Sequence, residues 1–189
     1  MKILVLDNYD SFTYNLVHLL RELGFEDDLT VRRNDAISVD EVGRYDKILL
    51  SPGPGLPKNA GIMPELIKRY ASEKSILGIC LGHQAIAENF GAELFNMPEV
   101  LHGIANKVIL KSTDRLFQDI PDGFKACRYH SWSVLGSSVG EDLKITAVDE
   151  AGEVMAIAHK TYNLRGLQFH PESILTEHGL KMLDNWVNL

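Results

Sequence analysis

The chain has 189 residues, 45% hydrophobic and 24% charged, with a formal net charge of −7 and a pI near 5.5. That composition can bury a substantial core and excludes intrinsic disorder. The acidic balance disfavours phosphate backbones and anionic lipid, so no nucleic-acid or membrane role is expected and small-molecule chemistry is favoured.

Lys2 to Asp7 reads as a buried strand, too short for a signal-peptide core or a membrane span, and the chain is expected in the cytoplasm. Leu16, Val17, Leu19, Leu20 and Leu23 then recur at helical spacing up to Gly24, a helix stop. Leu29 to Val31 is a second strand, and Ser38-Val-Asp-Glu41 has the Ser-x-x-Glu form of a capping box. Lys47 to Leu50 is a third strand. After the loop Ser51 to Gly61 come a helix from Met63 to Glu73, a strand from Ser75 to Ile79 and a helix from Gly82 to Phe90 closed by Gly91. This alternation predicts an α/β fold, a mostly parallel central sheet with helices on both faces and ligands at the carboxyl ends of the strands. The second half loses the rhythm. Strands at Asn106 to Leu110, Phe124 to Arg128, Ile145 to Val148 and Val154 to Ala158 are separated by turn-rich segments, which predicts antiparallel additions. A last strand, Arg165 to Phe169, leads through Pro171 to a terminal helix from Glu177 to Val187. With no repeat, low-complexity tract or dividing linker, residues 1–189 read as one domain.

Gly78-Ile-Cys80-Leu-Gly82 sits between an apolar strand and a helix, as a nucleophile elbow does, with sulfur where Gly-x-Ser-x-Gly has oxygen. The flanking glycines permit a tight strand-to-helix turn, and a helix start favours thiolate over thiol. Cys127 lacks that context and reads as a packed strand residue; two cysteines are too few for a disulfide framework. A thiol nucleophile needs a base, and the base needs an orienting group. His170 ends the last predicted strand, and Pro171 holds it extended, so His170 and Glu172 face the same way. Cys80, His170 and Glu172 therefore form a candidate triad at the carboxyl edge of the sheet. The loop Ser51-Pro-Gly-Pro-Gly-Leu-Pro57 is stiff and lacks the pattern of a phosphate cradle; the amides of Gly53 and Leu81 are candidate donors of an oxyanion hole. His83, His102, His130, His159 and His178 share no spacing and read as surface or hydrogen-bonded residues, with His18 exposed on the first helix. Tyr9, Phe12 and Tyr14 read as core and helix-entry packing. Neither a downstream Cys-x-x-Cys nor a His-Glu-x-x-His accompanies His170-x-Glu172, so no metal is expected.

Several of these motifs, in this order, resemble the class I glutamine amidotransferases over nearly the whole chain: Asp7-Asn-Tyr-Asp-Ser-Phe-Thr-Tyr-Asn15, Ser-Pro-Gly-Pro-Gly, Gly-Ile-Cys-Leu-Gly-His-Gln84, Arg128-Tyr-His-Ser131 and Gly166-Leu-Gln-Phe-His-Pro-Glu-Ser-Ile-Leu175. Within that family the chain looks most like the glutaminase subunits (component II) of anthranilate synthase and aminodeoxychorismate synthase. The resemblance implies a flavodoxin-like fold and hydrolysis of L-glutamine to glutamate and ammonia through a thioester on Cys80. His170 is then the base and Glu172 its orienter, and no cofactor is implied. By the same resemblance Gly53, Pro54 and Gly55 line the glutamine site, Gln84 touches substrate, and Ser131 with Trp132 binds its amino-acid end. Gln84 follows Cys80 by one helical turn, which puts both on one face. Trp132 stands where leucine is usual, and Ile104 where many relatives carry lysine; no function attaches to the latter. One glutaminase domain takes up the chain, so the ammonia acceptor is expected on a separate chorismate-binding synthase subunit, in tryptophan biosynthesis, in the folate pathway, or in both. Two other classes compete. Against a cysteine peptidase-like hydrolase stand the glutamine-site motifs, and against a non-catalytic regulatory subunit stands the intact triad.

Overall fold

A computed structural model describes residues 1–189, the side chains of residues 99–102 excepted. Its first half is built on three fully buried strands, β1 (Ile3–Asp7), β3 (Lys47–Leu50) and β4 (Ser75–Ile79), with β2 (Leu29–Arg33) at the edge. Pairing is parallel throughout: β1 lies between β2 and β3, and β3 pairs with β4. Helices α1 (Thr13–Glu22), α2 (Val39–Val42), α3 (Met63–Tyr70) and α4 (Leu81–Asn89) follow the four strands in turn. Successive strand residues point to opposite faces, so a strand covered on both sides reads as an unbroken apolar run. Ile3 and Val5 pack with Leu16 and Leu20 of α1 and with Met182 and Trp186 of the terminal helix α5 (Gly179–Val187). Leu4 and Leu6 pack on the other face with Leu66 and Ile67 of α3 and Ile86 of α4. Ser38 caps α2 as a reciprocal box, its amide donating to the Glu41 carboxylate at 3.0 Å.

The direction of the chain reverses in the second half. The strand β9 (Leu164–Leu167) pairs in parallel with β4, whereas β8 (Val154–His159) runs antiparallel to β9 and β7 (Leu143–Asp149) antiparallel to β8. Beyond them lie β5 (Leu94–Leu110) and β6 (Lys125–Val134), giving the order β2-β1-β3-β4-β9-β8-β7-β5-β6 among the described residues. Both outer strands exceed the sequence prediction of Asn106 to Leu110 and Phe124 to Arg128. They pair from Leu94 opposite Val134 to Lys107 opposite Lys125. Asn96, Pro98 and Gly103 are poor strand formers, and it is pairing with a partner rather than local alternation that defines this ribbon. At the other margins, α3 ends at Tyr70, short of Glu73, and α5 begins at Gly179 rather than Glu177. Among the described residues no helix is long and apolar enough to cross a membrane.

Candidate active site

Cys80 is the one residue between β4 and α4, and its backbone sits at φ 50°, ψ −97°. For a residue with a side chain that region costs about 1–3 kcal/mol and persists only where the surroundings enforce it. They do so here through the backbone: the Cys80 amide donates to Leu167 O at 2.7 Å, and its carbonyl accepts from the Gln84 amide at 3.0 Å. The flanking glycines are required for space. A Cβ on Gly78 would lie 2.4 Å from the Gly82 backbone, and one on Gly82 would lie 2.7 Å from Leu50 O. Strand, turn and helix thus close on each other with no room for a methyl group, and the turn aims the thiol along the carboxyl edge of the sheet.

The base is held differently. The strand β9 ends at Leu167, so His170 lies on the irregular segment beyond it, not at the strand end that the sequence suggests. That segment is tied to β6, with the His170 amide donating to Cys127 O at 3.0 Å, and Thr176 Oγ1 donates to His170 O at 2.6 Å. At its far end Gly179 presses on Pro171 so closely that a Cβ would fall 1.8 Å from Pro171 O. His170 Nδ1 and Glu172 Oε1 are 2.6 Å apart and both side chains are buried. Nε2 makes no hydrogen bond of ordinary geometry, yet the sulfur stands beside it. Burial pushes the His170 pKa down, but hydrogen bonding and charge from Cys80 and Glu172 override it and raise it to about 10. Two aromatic rings meet the imidazole edge-on, Tyr129 at 5.1 Å and Phe12 at 5.9 Å between centroids. Phe12, at the entry to α1, packs against this site, whereas Tyr9 and Tyr14 are 49% and 63% exposed, contrary to the packing role expected of them.

Gly53, Pro54, Gly55, Gln84, Ser131 and Trp132 line one cavity of about 200 Å³ together with Cys80. That is below the ~300–1,000 Å³ of drug-sized pockets and suits a single small metabolite. Tyr129 and His130 complete the lining, two residues that the sequence alone does not place there. Asn8 fixes the proline-glycine loop: its amide donates to Ser51 Oγ and its Nδ2 to Ser51 O, each at 2.8 Å. A Cβ on Gly53 would fall 2.6 Å from Asn8 and 2.8 Å from the Leu81 side chain, so the loop runs against the start of α4. Among the described residues neither the Gly53 nor the Leu81 amide donates to a carbonyl. Gln84 Nε2 donates to Trp132 O at 2.8 Å, so Trp132 is engaged there through its backbone.

The other histidines divide. His130 is buried, and its pKa is pushed down to about 3 by burial and by the neighbouring Arg128 guanidinium, which itself pairs with Asp149 in the interior. His159 accepts from the amides of Thr161 and Tyr162, and His18 and His178 are exposed. His83 is fully buried rather than at the surface and lies against Gly166, and burial pushes its pKa down to about 4. The side chain of His102 lies outside the described residues. Cys127 is fully buried in β6. Gln168, which the sequence reading passes over, donates Nε2 to Cys80 Sγ at 3.6 Å. A signal for it exists: an amide between Leu167 and Phe169 in a buried run must find partners.

Known proteins are similar to this chain along its whole length. The family described as Glutamine amidotransferase class-I matches residues 4–189. Anthranilate synthase component 2 of Mycobacterium tuberculosis is 45% identical over 99% of this chain and 82% of its own length. The aminodeoxychorismate/anthranilate synthase component 2 of Bacillus subtilis is 43% identical over 98% of this chain and 95% of its own. Among solved structures, a protein from Thermoplasma acidophilum described as a candidate GMP synthase subunit superposes with a TM-score of 0.88 at 28% identity, covering 100% of this chain and 92% of that one.

Proposed function

The chain belongs to the class I glutamine amidotransferases, and from that premise we propose that it is the glutaminase subunit of a chorismate-using synthase, working in the cytoplasm. The observation that carries this reading is the opening of Cys80, backed by the buried His170–Glu172 pair, into the cavity lined by Gly53, Pro54, Gly55, Gln84, Ser131 and Trp132. The Cys80 thiolate attacks the side-chain amide carbon of glutamine, and the amides of Gly53 and Leu81 hold the oxyanion. His170, carrying the proton, gives it to the departing nitrogen as the C–N bond breaks, so that ammonia leaves and a thioester remains. Glu172 holds the ring by Nδ1 and stabilises its charged form. Water, deprotonated by His170, then attacks the thioester and releases glutamate and the thiol. The chemistry uses these side chains and no cofactor.

The ammonia passes to a partner subunit that binds chorismate. Anthranilate formation for tryptophan is the favoured reaction, since the relatives from Mycobacterium tuberculosis and Cyanophora paradoxa are both named anthranilate synthase component 2. Service to aminodeoxychorismate synthesis as well is the second reading, favoured by the double name of the Bacillus subtilis relative. The test uses the complex purified with its synthase subunit. Cys80→Ala abolishes synthesis from glutamine and leaves synthesis from added ammonium salts, because sulfur chemistry only generates the ammonia. Loss of both activities in an assembled complex refutes the assignment, and peptide cleavage without glutamate release by the wild type turns it to a hydrolase.

A further inference from the structure

We propose that Gln168 is a positioning residue for the nucleophile, its side-chain amide held as a hydrogen-bond donor to Cys80 Sγ by a buried network in which the Trp132 carbonyl, an acceptor only, fixes the Gln84 amide and through it the Gln168 amide. The inference rests on the reading of Cys80 as the nucleophile. The Asp149 carboxylate accepts from the Arg128 guanidinium, and Arg128 Nε donates to His130 Nε2 at 3.0 Å. Guanidinium has no acceptor, so Nε2 must be bare and the proton of this neutral ring sits on Nδ1. Nδ1 lies 2.8 Å from Trp132 O and donates to it. The same carbonyl, an acceptor only, takes a second hydrogen bond from Gln84 Nε2 at 2.8 Å, which settles which end of the Gln84 amide is nitrogen. The other Nε2 hydrogen of Gln84 goes to Gln168 Oε1 at 3.2 Å. Only Nε2 of Gln168 then remains for the sulfur at 3.6 Å.

Reversing the Gln168 amide would set two NH2 groups against each other in a site where Gln168 is fully buried and Gln84 is 3% exposed, so solvent cannot relieve the clash. A donor facing sulfur favours the thiolate, which accepts, over the thiol. The network accordingly holds a donor on the thiol that the backbone turn has placed, before glutamine arrives. Among the described residues, His170 acts on the sulfur with Glu172 behind it, Tyr129 and His130 of β6 line the cavity, and His83 of α4 acts on His130. His170 acts on the sulfur by charge, its Nε2 making no hydrogen bond of ordinary geometry, and Gln168 supplies the hydrogen bond to Sγ.

The test is the rate of Cys80 alkylation by iodoacetamide against pH, without glutamine, with the adduct located by mass spectrometry to separate Cys80 from Cys127. Gln168→Met keeps bulk and length but cannot donate, and Gln168→Glu puts carboxylate oxygen in place of the donor. Near neutral pH the Met variant is expected to alkylate about tenfold more slowly, the effect of one hydrogen bond to a charged group, with its profile displaced to higher pH, and the Glu variant more slowly still. In the complex, kcat for glutamine hydrolysis falls with alkylation while KM stays near the wild-type value. Gln84→Met, read by alkylation alone, moves the profile in the same direction with Gln168 in place, and carries the test should neither Gln168 variant fold. An unshifted profile in folded Gln168→Met, or in Gln84→Met where the Gln168 variants fail to fold, overturns the proposal. A wild type that hydrolyses no glutamine but whose Gln168→Met profile shifts upholds the network and sinks the glutaminase reading alone.

Discussion

The two halves of the triad are positioned by different means. Cys80 is placed by backbone: a parallel strand, a strained φ, and two glycines so close to their neighbours that no side chain fits. His170 is placed largely by side chains, with Glu172 on its Nδ1 and Thr176 on its carbonyl from its own segment and Tyr129 and Phe12 against its ring from distant elements. Backbone positioning by crowding is all-or-none. Side-chain positioning is distributed, so its members should fail by degrees, and variants on either side test that contrast.

The largest expected effect lies on the side-chain half, where Arg128 of β6, the strand that carries Tyr129 and His130, forms a buried ion pair with Asp149 of β7. Arg128→Met strands a carboxylate that also caps the turn to Glu153, and removing one partner of such a pair costs about 3–5 kcal/mol. Urea unfolding measures it, and a loss within about 1 kcal/mol would mean that the pair is solvated in solution. Gly78→Ala comes next. Its added methyl meets backbone rather than a flexible side chain, so the elbow must open, at about 3 kcal/mol in stability and with the loss of rapid Cys80 alkylation. A variant that keeps normal alkylation would show that the turn is not held by crowding.

Glu172→Gln should leave the fold intact and lower kcat for glutamine hydrolysis by about 10²-fold, the low end of what a correctly held base contributes, with KM little changed. A related prediction concerns pH. The folded His170 pKa of about 10 lies above the ordinary value near 6.5, so the pair contributes stability that is complete below roughly pH 6.5 and is lost as pH rises through about 10. Cys80 is a raising influence on that ring, so Cys80→Ala should lose less stability than wild type across the same alkaline window. Parallel slopes of urea midpoint against pH in the two proteins would remove the sulfur from the account.

That contrast also explains what can be read from sequence. The elbow is legible because its glycines flank Cys80 within five residues, Gly78 to Gly82, although Leu50 and Leu167 complete it from neighbouring strands, and the parallel half because β1, β3 and β4 are mostly apolar. The His170–Glu172 pair is legible for the same reason, since Pro171 and Glu172 sit beside His170. What supports His170 is not: Tyr129 reaches it from β6 and Phe12 from the loop after β1, and no local period couples such positions. The true lengths of β5 and β6 escape because each exists through the other, and Gln168 because its partners, Gln84 and Cys80, come from another part of the chain.

Phe12 offers the smallest and most discriminating test. Asp7 organises its approach, with Oδ1 accepting from the Tyr9 amide at 3.0 Å and from Thr13 Oγ1 at 2.9 Å, and Asp10 accepts from the Phe12 amide at 2.7 Å. The connection from β1 to α1 is thereby folded so that Phe12 stands edge-on to His170 and 5.3 Å from the Tyr129 ring. An aromatic contact of this kind is worth about 0.5–1.5 kcal/mol beyond its buried area. Phe12→Leu keeps an apolar side chain and removes that directional part, so if the ring holds the imidazole in its working orientation, kcat should fall roughly two- to tenfold with KM unchanged. Phe12→Tyr, which keeps the ring, should restore most of the loss. Equal rates in Leu and wild type would leave Glu172 and Tyr129 sufficient to aim the base, and the edge-on ring would then serve packing of the β1–α1 connection alone.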